Sequence, residues 1–375
     1  MNSNTTTRPV EHYPSHKSRT LLSRLLLQRA TIENSGPALA ELEASLLRLS
    51  YAEFEDLVEL AQLNHVIVRA LEAFLDISAQ ENDTIRAEWA TAALTAERAR
   101  IDNALPFLED ICETFEAHEY GVTVIKSLDH WPDLGSDLDL YTDASPEDVC
   151  RLMKRRFDAK VMARSWGDRL ARKWNFEIPG LPEAVEIHVG RLGQTGEQVS
   201  IATSLLKRRR QTHIGAYSFP ITSSSDRLLI STLQRMYRHF YFRLCDIIDS
   251  AQLAEAGGID YEDLHASATR AGIWKGVATY LAIVSDYVKS YRGTGIDLPD
   301  FVRDSAQFGG NQLYYARAFL RVPIMPQSAR LYTAQLAGVL GKGEIHNGAR
   351  LSLLPWLATA AVVGQKLTGS DKGIW

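Results

Sequence analysis

The chain is poor in cysteine and has no long apolar run. Cys112, Cys150 and Cys245 are its only three cysteines, they stand far apart, and no Cys-x-x-Cys occurs. An odd, scattered set argues against a disulfide framework and a structural zinc site, and suits a reducing, cytoplasmic setting. No stretch of 18 apolar residues is present, so no membrane span is expected. The most apolar late segment, LSLLPWLATAAVVGQKL, is broken by Pro355 and is expected to be a buried helix. Charge of one sign is also lacking: 41 basic against 46 acidic side chains leave a formal −5. That balance excludes bulk nucleic-acid coating and a polybasic membrane surface, but not a small basic pocket.

Several catalytic signatures are missing as well. There is no GxxxxGK[ST] phosphate loop, no GxSxG elbow and no HExxH, and the ten histidines are dispersed. GKGEIHNG, near Gly341, has glycines and a lysine at the wrong spacing and reads as a surface turn.

What is present is a chain of 375 residues, 45% hydrophobic, long enough for two or three subdomains. Residues 1–19 are polar, lack an apolar core and read as a disordered tail rather than a signal peptide. From 20 to 118 apolar residues recur at three- and four-residue spacing, predicting a helical region. The period then changes to two. GVTVIKS and DLDLYTD read as strands around the loop LDHWPDLGS, and Ser145 caps a helix over SPEDVCRLMKRRF. AKVMARSW, KWNFEIPG and AVEIHVG read as three more strands. A core over 119–200 is therefore expected, with a helical region over 201–375. The fold class is α+β, a mixed sheet flanked by helices.

DLDL carries the chemistry. Strand residues two apart share a face, so Asp137 and Asp139 project together while Leu138 and Leu140 face the core. In AVEIHVG, Glu186 and His188 share one face, and Val185 and Ile187 the other. If those strands are neighbours, three carboxylates converge. Such a cluster needs a cation, and hard oxygen donors without cysteine select Mg²⁺ or Mn²⁺. A solvated strand face is the plainer alternative.

Ile125-Lys126-Ser127, a nine-residue gap, Asp137-Leu138-Asp139-Leu140 and the later Glu186-Ile187-His188 resemble the signature of the nucleotidyltransferase superfamily, with its DNA polymerase beta-like fold. The form with lysine before the small residue is most similar to a bacterial group described as nucleotidyltransferase family proteins. The resemblance covers roughly residues 95 to 255. It implies metal held by Asp137, Asp139 and Glu186, a triphosphate near Lys126, Ser127 and Ser136, and transfer of a nucleoside monophosphate from an NTP to a hydroxyl of a small molecule or protein. Lys126 departs from the superfamily's first glycine, and Leu134-Gly135-Ser136 stands where many of the closer group carry an arginine.

Further along, RMYRHFYFRLCDIID places Arg235, Arg238, His239, Arg243, Asp246 and Asp249 at helical steps. Arg243 and Asp246 form either a buried ion pair or part of a helical wall over the nucleotide. The basic run LKRRR, 206–210, reads as a solvated face, and Trp131 as the aromatic best placed to stack on a base. The alternatives to an enzyme are a non-catalytic nucleotide-binding protein and a toxin–antitoxin-like interaction module.

Overall fold

The computed structural model describes residues 16–28, 36–316, 318–357 and 359–360. The expected tail therefore lies outside the described residues up to 15, and 16–19 already belong to a helix. Five helices come first: α1 (His16–Leu27), α2 (Pro37–Leu46), α3 (Tyr51–Leu63), α4 (Ile67–Gln80) and α5 (Thr84–Ala117). Each buries an apolar stripe. In α4, Ile67, Leu71, Phe74 and Ile77 are buried at steps of three and four. The 34-residue α5 packs across the sheet's apolar face.

The sheet is built from β1 (Val122–Val124), β2 (Asp137–Thr142), β3 (Lys160–Val161), β4 (Lys173–Ile178), β5 (Leu181–Val189), β6 (Arg210–Ile214) and β7 (Tyr217–Ile221). Its order is β3-β4-β5-β2-β1-β7-β6. β2–β5 and β1–β7 are parallel, and the other neighbours antiparallel. Helices α6 (Pro146–Phe157), α7 (Trp166–Ala171) and α8 (Val199–Arg208) lie between strands. Ser145 caps α6 as expected, its hydroxyl accepting from Asp148 N at 3.1 Å.

Two features of the sheet differ from the sequence reading. AKVMARSW yields only the two-residue β3, because Ser165 and Asp168 form a capping box that starts α7 instead. The sheet also continues past residue 200 through the β6–β7 hairpin, which turns at Gly215 with φ +57 and sets β7 beside β1.

Beyond the sheet come α9 (Ser224–Thr232), β8 (Tyr241–Phe242), α10 (Leu244–Glu255), α11 (Tyr261–Arg270), α12 (Trp274–Arg292), α13 (Asp300–Ser305), β9 (Tyr314–Ala316), β10 (Phe319–Arg321), α14 (Ala329–Gly341) and α15 (Ile345–Leu351). The helix expected through RMYRHFYFRLCDIID is interrupted. α9 passes into a π-helical turn, Leu233–Arg238, then Phe240 takes φ +54 and Tyr241–Phe242 pair with β10. The late apolar segment is not a buried helix over its described part: Leu351 is buried, but Leu353 and Trp356 are exposed. Its residues 361–367 lie outside the described residues. Among the described residues no helix is long and apolar enough to cross a membrane.

At the start of α3, Ser50 and Glu53 make a reciprocal cap, and Lys17 of α1 reaches Glu53 Oε1 at 2.7 Å. The Lys17 hydrogen bond, then those from Ser50, hold the Glu53 carboxyl down from 4.5 to about 2. A folded pKa below the unfolded one adds stability above 4.5 that is lost as pH falls through about 2. Urea midpoints of wild type and Glu53→Gln should therefore differ at pH 6 and coincide near pH 2. A gap that stayed constant with pH would contradict this cap.

Candidate active site

The parallel register of β2 and β5 sets Asp139 directly opposite Glu186, and Asp137 opposite Ala184. Leu138, Leu140, Val185 and Ile187 are buried on the other face. The three carboxylates thus line one cleft of about 350 Å³, together with Lys126, Ser127, Ser136 and Arg243. His65, His130, Asp168, Lys173, Asn175, Arg235, Arg238 and Tyr241 complete most of its wall.

Two lysines offset the repulsion among the carboxylates. Lys126 Nζ pairs with Asp139 Oδ1 and lies 3.1 Å from Glu186 Oε1. Lys173 Nζ is 2.7 Å from Glu186 Oε2 and 3.0 Å from Asp168 Oδ1. His188 Nε2 donates to Glu186 Oε1 at 2.9 Å, and burial lowers its pKa to about 4, which keeps it neutral. Burial, then the Glu186 charge, raise Asp139 against the pull of Lys126. Burial opposes the Glu186 charge too, but Lys126, His188 and Lys173 together hold it well below its ordinary value.

Lys126 reaches this position through a strained backbone. Its φ of +65 and ψ of −56, with Ser127 N donating to Ile125 O at 2.7 Å, make a γ-turn of the rarer kind. Glycine would adopt it freely, and a lysine there stores strain on the order of 1–3 kcal/mol. The gain is an ammonium placed between Asp139 and Glu186.

Neighbouring residues hold the acidic strand in place. Ser127 Oγ donates to Asp137 O at 3.1 Å and accepts from Asp139 N at 2.7 Å. That hydroxyl is engaged with β2, so Ser127 positions the aspartates. Ser136 is exposed at the rim. From α5, Arg100 donates to Leu134 O at 2.9 Å and Gly135 O at 3.3 Å, and is anchored by Glu97 and Glu183. An arginine does support the loop before Asp137, but from a distant helix.

On the opposite wall, Asp246 does not reach the cleft. It is buried, accepts from Arg243 N at 2.7 Å and pairs with Arg235 Nε at 2.7 Å. The expected Arg243–Asp246 pairing is thus a backbone cap, and Arg235 is the charge partner. Arg238 and Arg243 line the cleft and, among the described residues, neither forms an ion pair with a carboxylate. Trp131 faces a different depression, beside Asp129, His213 and Arg227, and Tyr241 is the aromatic of the cleft. In the basic run, Arg208 pairs with Asp226 and Asp263, and Arg209 with Glu116, so these are ties between elements. Lys173 and Asn175 were missed in the sequence. Their signal is the alternation of KWNFEI, which puts both on the face of Glu186 once β4 pairs with β5.

The donors suit a hard divalent cation. Ligand atoms of Asp139, Glu186 and His188 lie within 4.8 Å of one another, and Asp137 stands on the same face. No protein-family model matches the chain, and no curated protein matches it.

Removing one member of a buried ion pair costs about 3–5 kcal/mol. Lys126→Met should therefore destabilise the metal-free protein by about 3 kcal/mol, whereas Lys126→Met/Asp139→Asn should lose less than the sum of the single changes. Urea unfolding of the four proteins measures the coupling, and strict additivity would refute the counterion role of Lys126.

Proposed function

We propose that the protein is a metal-dependent nucleotidyltransferase with a nucleotidyltransferase-like core, which transfers a nucleoside monophosphate from an NTP to a hydroxyl of a small molecule or protein. The observation that carries this reading is the pairing of two opposite surfaces in one cleft. A carboxylate cluster on β2 and β5 faces Arg238 and Arg243, two guanidiniums without a carboxylate partner among the described residues. A polyphosphate bridged to the carboxylates by cations satisfies both surfaces.

Asp137, Asp139 and Glu186 would hold Mg²⁺ or Mn²⁺. The metal would neutralise the triphosphate and favour deprotonation of the acceptor hydroxyl. Arg238 and Arg243 bind phosphate oxygens, and Lys126 is within reach of either the carboxylates or a phosphate. Lys173 and His188 keep Glu186 ionised and oriented. The acceptor hydroxyl gives its proton to a cleft carboxylate or to water, its oxygen forms a bond to the α-phosphorus as the bond to the bridging oxygen breaks, and pyrophosphate leaves.

Compensation by Lys126 and Lys173 also supports a second reading. A cluster neutralised by lysines is tolerable without metal, which suits a non-catalytic nucleotide-binding protein.

Calorimetric titration with each NTP, with and without Mg²⁺, separates the two. The enzyme reading expects Mg²⁺-dependent binding of at least one NTP, abolished in a folded Asp137→Ala/Asp139→Ala variant. Binding that ignores both Mg²⁺ and the variant would favour the second reading, and no binding at all would reject both. Arg238→Ala should weaken NTP binding by roughly 10- to 100-fold, the value of about 1.5–3 kcal/mol for a hydrogen bond to a charged group.

A further inference from the structure

At the edge of the same cleft, His65, His130 and Cys245 bring one ligand atom each to within 4.8 Å of one another. They come from three distant parts of the chain: the end of α3, the turn after β1, and the first turn of α10. Their separation in sequence hides them from any spacing rule, which is why the sequence argued against zinc.

We infer that these residues form a second metal site, for a single Zn²⁺-class ion, distinct from the hard-cation site. Cys245 Sγ is 3.6 Å from His130 Nε2. Two ligands of a tetrahedral zinc, with Zn–S near 2.3 Å and Zn–N near 2.0 Å, stand about 3.5 Å apart. His130 is already oriented as a ligand, since its Nδ1 donates to Asp249 Oδ2 at 2.5 Å, which leaves Nε2 to face the sulfur. A carboxylate behind a ligating histidine is the usual outer partner of bound zinc. Asp249 is itself fixed by Arg69 Nη1 at 2.7 Å.

The other two ligands are also preset. Asn64, next to His65, accepts from Cys245 N through its carbonyl at 3.2 Å and from Leu244 N through Oδ1 at 3.0 Å. The same residue thus couples the backbones that carry His65 and Cys245. Charge fits too. Two buried carboxylates, Asp133 and Asp249, share one guanidinium, Arg69. Without metal a protonated His130 can supply the second positive charge through its contact with Asp249; a divalent ion with a cysteine thiolate and a neutral His130 supplies the same charge, so metal binding leaves the balance unchanged. Arg243 Nη1 lies 3.5 Å from His65 Nδ1 and, among the described residues, has no carboxylate to hold it there.

Cys245 is fully buried and does not line the cleft, whereas His65 and His130 do. No substrate therefore reaches the sulfur, and a Cys–His–Asp nucleophile is not supported. The metal would have its fourth position toward the cleft and would fasten α3, the β1 turn and α10 together.

The test uses the full chain, stripped with a chelator and dialysed against Zn²⁺ or Co²⁺. One equivalent of retained zinc is expected, together with a thiolate-to-cobalt charge-transfer band and the visible bands of tetrahedral Co²⁺. Cys245→Ser should lose the charge-transfer band, His65→Gln should weaken retention by about tenfold or more, and Asp139→Asn should change neither. If Cys245→Ser does not fold, His65→Gln decides alone. Substoichiometric metal, a band that survives Cys245→Ser, or binding lost only in Asp139→Asn would overturn the site.

Discussion

The buried charge balance on β2 and β5 is the constraint around which the molecule is organised. Asp139 and Glu186 face each other in a parallel register, Glu186 buried and Asp139 partly so. Like charges so placed repel strongly, and their desolvation is not recovered unless cations stand beside them. Lys126 arrives through a strained turn, and Lys173 through the antiparallel pairing of β4 with β5. Lys173 could not be moved one residue along β4 without leaving that face, and Lys126 holds its place through the γ-turn after β1. The γ-turn, the Ser127 clamp and the β4–β5 register are parts of one solution to one electrostatic problem.

The opposite wall follows the same logic with the signs reversed. Arg235 and Arg238 stand three residues apart in a π-helical turn but have different fates. Arg235 is buried against Asp246, which also caps α10, so it locks the turn to that helix. Arg238 stays half-buried at the cleft with no carboxylate beside it among the described residues. The fixed pair supplies the geometry, and the unpaired guanidinium is the one available to an anion. An arginine's chemical identity says nothing about which of these it will be; only its partner does.

That difference explains what could be read from the sequence. β2 and β5 were legible because a period of two fixes a face from residues within the strand itself, and Leu138, Leu140, Val185 and Ile187 mark the core side unambiguously. Helices α3 to α5 were legible for the same reason at a longer period. The role of Lys173 was not, because it depends on which strand β4 pairs with. The β6–β7 hairpin carried a local signal, Gly215 between two short alternating runs, that a basic helical segment upstream obscured. Phe240 offered no signal: a bulky residue at positive φ is disfavoured locally and persists only where tertiary pairing, here β8 with β10, requires it.

The helical flanks are therefore not attachments to an independent core. The loop that delivers Asp137 is held at Asp133 by Val68 N and Arg69, both on α4, and at Leu134 and Gly135 by Arg100 on α5. α10 is tied to the end of α3 through Asn64. Under the proposed function, a carboxylate pair must be placed to within a fraction of an ångström to hold a cation and a phosphate together. In this chain that placement comes from side chains that precede the acidic strand by up to about seventy residues. The geometry of the carboxylates is thus a property of the whole assembly of α3 to α5, the sheet and α10, and a sheet separated from those helices would keep the acids and lose their arrangement.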